Sequence, residues 1–167
     1  MNRMNVLELA GNLIKELEGF KAQAYLDGAG VPTIGYGTTQ VNGQPVNMGM
    51  NCTEKEALKW LKDYLVADYD RLVIWCHSQP LSIILTDNQA AAILSFTYNA
   101  GWKSFVNSSM AKQIINGDYN AAAAAFEKWN KIRVNGKLTF SPGLFNRRMK
   151  EEACFIDEDK CGRDDAG

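Results

Sequence analysis

The chain has 167 residues, 46% of them apolar and 22% charged, and a formal charge of −1. These are the proportions of an ordinary globular protein, not of a disordered or fibrous one, and the length suits one domain or two small lobes sharing a cleft. The near-neutral charge gives no global electrostatic case for binding nucleic acid, and no apolar run approaches the ~20 residues of a membrane span, so no stable membrane insertion is expected.

From the N-terminus, Val6, Ala10, Leu13, Ile14 and Leu17 recur at helical spacing, which predicts an amphipathic helix over about Val6–Leu17, stopped by Gly19. Glu8, Asn12, Lys15 and Glu16 interrupt it, so it lacks the continuous apolar core of a secretory signal. Glu18 falls at the helix's C-terminal end, where the negative pole of the helix dipole disfavours a charged carboxylate. Gly28, Ala29 and Gly30 then predict a turn between strands at Ala24–Asp27 and Pro32–Tyr36. Gly35 and Gly37 either admit a sugar or another backbone, or mark a twisted edge strand. A turn at Asn42-Gly43 predicts a third strand at Val46–Met50.

Two carboxyl groups on opposite sides of a glycosidic bond, one protonated and one ionised, are what sugar cleavage requires. A helix end facing a short hairpin can hold such a pair apart. The order Glu18-Gly19-Phe20, then Asp27, then Thr33 opening the run Thr-Ile-Gly-Tyr-Gly resembles the phage-type lysozymes, the endolysin muramidases of bacteriophages. The resemblance implies Glu18 as general acid and Asp27 as the ionised partner, with Thr33 orienting water. It implies hydrolysis, with inversion, of the β-1,4 bond between N-acetylmuramic acid and N-acetylglucosamine in peptidoglycan, without cofactor or metal. It also implies a protein held in the host bacterial cytoplasm until a holin gives it access to the periplasm and cell wall. A monomer is expected.

Further along, Thr53 with Glu56 forms a capping box for a long helix reaching about Trp75, with Leu58, Leu61, Leu65 and Leu72 facing one way. Thr86 with Gln89 repeats the pattern ahead of a helix over Asp87–Ala100 that stops at Gly101. By the same resemblance, Thr39, Tyr98 and Ser108 fall at substrate-binding positions. A core aromatic is the plainer reading of Tyr98, and helix capping that of Ser108. The alanines from Ala121 to Ala125 predict helix within Asp118–Trp129. Asn135-Gly136 marks a turn in the stretch Lys131–Phe140, which departs most from the resembled family.

Ser141-Pro142 reads as the cap and first residue of a last helix. It carries Gly143-Leu144, Arg147-Arg148 and Glu151, similar to a recurrent endolysin element in which an arginine can bond a cleft carboxylate. An i,i+4 pair between Arg147 and Glu151 is the plainer account. Cys52, Cys76, Cys154 and Cys161, with the one histidine His77, lack the spacing of a zinc site and read as free thiols. Cys154 and Cys161 are near enough in sequence to leave a bridge open. The charged tail after Phe155 is expected to fray.

The expected architecture is α+β and mostly helical, a single lysozyme-like domain over residues 1–167. It comprises a β-containing lobe at about 17–52, a linking helix at about 53–76, and a helical lobe at about 80–155 packed with the N-terminal helix 6–17. Residues 156–167 form the tail, and the cleft lies between the lobes. Alternatives from other classes are an inert peptidoglycan-binding protein on this fold, or a lysozyme module of a phage tail or secretion apparatus. A lytic transglycosylase works with a lone Glu, so Asp27 argues for hydrolysis. No nucleophile motif surrounds His77 to suggest a Ser-His-Asp or Cys-His enzyme.

Overall fold

The computed structural model describes residues 1–161 and is mostly helical, with three two-stranded antiparallel sheets. Helix α1 (Arg3–Glu18) starts on Asn2, whose side chain accepts from the amides of Met4 and Asn5, and buries Val6, Leu9, Ala10, Leu13 and Ile14 along one stripe. It stops at Gly19, which holds φ at 67°. Strands β1 (Lys21–Leu26) and β2 (Pro32–Gly35) form the first hairpin, pairing Tyr25 with Thr33 and Leu26 with Pro32.

The next segment corrects an expectation: residues Val46–Met50 do not form a strand. Instead β3 (Gln40–Val41) and β4 (Gln44–Pro45) fold back around Asn42 and Gly43, both at positive φ. The Asn47 side chain then accepts from the Gly49 amide, and its carbonyl accepts from that of Met50, so a local turn replaces the extended chain. Val46 still enters the core.

Helix α2 (Glu54–Ser78) begins with the expected capping box and buries Leu61, Leu65 and Leu72. Leu58 departs from that stripe and is 40% exposed. Helix α3 (Asp87–Ala100) is the centre of the core, buried without interruption from Ala90 to Thr97 and packed against α1, α2 and the last helix. Helices α4 (Trp102–Val106), α5 (Ser109–Ile115) and α6 (Tyr119–Ala124) follow, and a 3-10 turn over Phe126–Trp129 divides the alanine-rich run that reads as one helix.

Strands β5 (Lys131–Val134) and β6 (Lys137–Phe140) make a regular hairpin around Asn135 and Gly136, at φ 48° and 80°. Helix α7 (Pro142–Ile156), capped by Ser141, returns to α3. Its Cys154 is bonded to Cys161, so the free-thiol reading holds for Cys52 and Cys76 but not for this pair. The expected fraying also fails as far as Cys161. Asp157 caps a 3-10 turn over Glu158–Lys160, which carries Cys161 into the core. The expectation for residues 162–167 lies outside the described residues. Among the described residues, no helix is long and apolar enough to cross a membrane.

Candidate active site

The end of α1 presents Glu18 to α7. Arg147 donates from Nη1 to Glu18 Oε1 at 2.5 Å and from Nε to Glu151 Oε1 at 3.1 Å. Glu151 is fully buried and also accepts from Ser95 Oγ at 2.8 Å and from Arg148 Nη1. Arg148 reaches the Trp129 carbonyl and Asn99 Oδ1, and its guanidinium lies over the Phe96 ring; burial lowers its pKa despite the adjacent Glu151. A buried charge left without its partner is strongly destabilising, so this network fixes the angle at which α7 meets α3 and with it the place of Arg147 beside Glu18. The arginine expected to reach a cleft carboxylate is thus Arg147, which makes the i,i+4 pair with Glu151 as well.

The second oxygen of Glu18 lies against Gly37. A Cβ added to that glycine would meet Glu18 Cδ and Oε2, each at 3.0 Å. Gly35 serves a different approach: its missing Cβ would stand 2.8 Å from Cβ of Ala57 on α2. Both glycines therefore admit other parts of the protein, one the carboxyl and one the linking helix.

The hairpin loop wraps Asp27. Its Oδ1 accepts from the amides of Ala29 and Val31 at 2.9 and 2.8 Å, while its backbone pairs with Val31 and Gly30. Thr33 is buried, and its hydroxyl donates to the Val31 carbonyl at 2.9 Å, leaving its oxygen able to accept. Tyr25, opposite Thr33 in the ladder, feels both carboxylates: burial raises its phenol pKa, and the negative fields of Glu18 and Asp27 raise it further. Tyr25 is the functional candidate that sequence reasoning missed. The available signal was the two-residue strand period, which puts Tyr25 on the same side as Asp27 and, across the ladder, as Thr33.

Gly37, against which Glu18 lies, is also in the lining of a cavity of about 540 Å³, with Thr39, Trp60, Tyr64, Tyr98 and Asn99 among others; Glu18, Asp27 and Thr33 are not in that lining. Thr39 and Tyr98 therefore share one recess. Tyr98 donates to the Tyr36 carbonyl at 2.6 Å and packs edge-on against Tyr64, and burial pushes its phenol up to about 12. Trp60 and Tyr64, from α2, also went unremarked in the sequence. Asn99 borders a second cavity with Leu17, Leu144 and Arg147, so the Glu18–Arg147 pair stands between two openings. Ser108 is not among the residues lining either cavity. It caps α5, donating to the Phe105 carbonyl at 2.6 Å and accepting from the Ala111 amide at 3.1 Å. Among the described residues, no group of three or more His, Cys, Asp or Glu side chains could hold a metal ion.

The phage lysozyme family profile matches residues 15–151. The endolysin of Acyrthosiphon pisum secondary endosymbiont phage 1 is 38% identical over 91% of this chain and 98% of its own length. Among solved structures, the endolysin from Escherichia coli O157:H7 phage FAHEc1 superposes with a TM-score of 0.76 at 37% identity, covering 90% of this chain and 92% of that one. The muramidase domain of SpmX from Asticaccaulis excentricus gives 0.75 at 28% identity, over 89% and 95%.

Proposed function

This chain belongs to the phage lysozyme family and is a glycoside hydrolase, and from that premise we propose that Glu18 is its general acid, acting on peptidoglycan. The bond cleaved is the β-1,4 link between N-acetylmuramic acid and N-acetylglucosamine. The observation that carries the reading is the division of labour between the oxygens of Glu18. Arg147 holds Oε1, and Oε2, which lies against Gly37, is the oxygen assigned in this reading to deliver the proton.

In the reaction, Glu18 Oε2 gives its proton to the bridging oxygen as the bond to the muramic anomeric carbon breaks. Water attacks that carbon from the opposite face and loses a proton to Asp27, whose orientation is set by the Ala29 and Val31 amides. Thr33 accepts a hydrogen bond from the same water, since its own proton is committed to Val31. Attack by free water on the far face gives inversion. Thr39 and Tyr98 border the sugars in the cavity they share, and Ser108 contributes by fixing the start of α5. The β-containing residues at about 17–52 and the helical residues at about 80–155 act as two walls, joined by α2.

The biological role that goes with this chemistry is host cell lysis. The enzyme waits in the host cytoplasm, reaches the wall once a holin opens the membrane, and works as a monomer. Mass spectrometry of fragments released from purified peptidoglycan tests the chemistry. Products ending in reducing N-acetylmuramic acid, one water heavier than the anhydro form, are expected. Anhydromuramyl ends would mean transglycosylation, and no release would mean a binding protein.

A further inference from the structure

The hairpin β5–β6 has no part in the site described above, and its surface is unlike the rest of the molecule. Ile132, Val134, Leu138 and Phe140 are between 43% and 64% exposed in a segment of ten residues. Directly paired residues share a face, so Ile132 and Val134 lie on one side with Thr139 and Lys137, while Leu138 and Phe140 lie on the other with Arg133 and Lys131. Both faces are therefore apolar and basic together, and every residue of the two strands is exposed. Phe140 sets its ring beside that of Phe145, the centroids 5.8 Å apart.

The charge is as one-sided as the apolarity. Lys131, Arg133 and Lys137 stand between Asn130 and Ser141 without an acidic residue among them, in a chain whose formal charge is −1. Among the described residues none of the three is ion-paired; Arg133 spends one donor on the Gly136 carbonyl across its own turn. The Asn135-Gly136 turn keeps the strands in register at the tip, and the bond from the Ser141 amide to the Asn130 carbonyl closes the base, so the hairpin is a built element and not a loose loop.

We propose that the β5–β6 hairpin docks the protein on an anionic phospholipid surface, its aliphatic side chains entering the headgroup boundary and its three cations pairing with lipid phosphates. Apolar side chains interleaved with uncompensated cations match the two layers of such an interface, hydrocarbon below and negative charge above. An anionic wall polymer would satisfy the cations but leave four apolar side chains in water. The docking is peripheral, and it is independent of the catalytic assignment.

Co-sedimentation of the whole protein tests it, with vesicles of phosphatidylglycerol and phosphatidylethanolamine beside vesicles of phosphatidylcholine alone. Binding to the anionic vesicles only, weakened by salt, is expected. Two variants separate the contributions: Ile132→Ser with Leu138→Ser, and Lys131→Gln with Arg133→Gln and Lys137→Gln. Each should lower vesicle binding at least about tenfold while clearing of purified peptidoglycan stays within about twofold. The charge variant leaves every apolar side chain of the hairpin in place and so keeps the test valid if the first variant is poorly folded. No binding to anionic vesicles, or undiminished binding by both variants, overturns the proposal. So does a loss in both variants of binding to purified peptidoglycan in place of vesicles. A dimer that the Ile132→Ser, Leu138→Ser variant breaks would assign the surface to a second copy.

Discussion

Gly37 makes room for Glu18: a Cβ at that glycine would stand 3.0 Å from both Cδ and Oε2 of the carboxyl, and its φ of +86° is one that side-chain-bearing residues rarely adopt. Gly37→Ala should therefore displace the group assigned as the acid, at a stability cost of about 1–3 kcal/mol from strain. Gly35→Ala is the contrasting variant, because its Cβ would collide with Ala57 on α2, away from the carboxyl. Turbidity clearing and thermal melts on both should show activity per folded molecule falling steeply in Gly37→Ala and much less in Gly35→Ala.

The phenol of Tyr98 ties α3 to the loop after β2 through the Tyr36 carbonyl, and burial moves it from the ordinary 10.0 to about 12. A folded-state pKa above the unfolded one contributes stability that is fully present below pH 10 and lost as pH rises toward about 12. Urea unfolding across that window should show a decline that is smaller in Tyr98→Phe. At neutral pH the same variant should be less stable by about 1 kcal/mol, the worth of one hydrogen bond.

The thiols differ in accessibility and state. Cys154 and Cys161 are bonded, and burial raises the pKa of both Cys52 and Cys76, the latter to about 11. A thiol reagent at pH 8 should react slowly with the folded protein and rapidly with two thiols after unfolding without reductant. Replacing Cys154 and Cys161 with serine should cost roughly 2 kcal/mol and leave wall clearing of the folded protein within about a few-fold, since the bridge closes a short loop away from Glu18.

What the sequence revealed and what it hid follow from the range of the interactions. The helix end that carries Glu18 and the hairpin that carries Asp27 and Thr33 could be read because their turn glycines and helix stop are local, and the capping boxes of α2 and α3 are four-residue patterns that tertiary context did not override. Gly37 and Tyr25 depended on partners across the fold. Whether a glycine faces a sugar, a helix or a carboxyl is decided by packing, and here α2 faces one and Glu18 the other. The strand expected at Val46–Met50 gave way to the side-chain turn at Asn47, a competition that apolar spacing does not register. The bridge at Cys154 rests on a 3-10 turn that a charged tail conceals.

The most direct test of the account is the turnover of Glu18→Gln on purified peptidoglycan. Glutamine keeps the shape and can still accept from Arg147 through its amide oxygen, but it has no carboxyl proton to give. Turnover should fall by about 10²–10⁴, the worth of a lost acid-base group, while wall-fragment binding and melting temperature stay near those of the unaltered protein. Near-full clearing by a folded Glu18→Gln would contradict the assignment of Glu18 as the general acid.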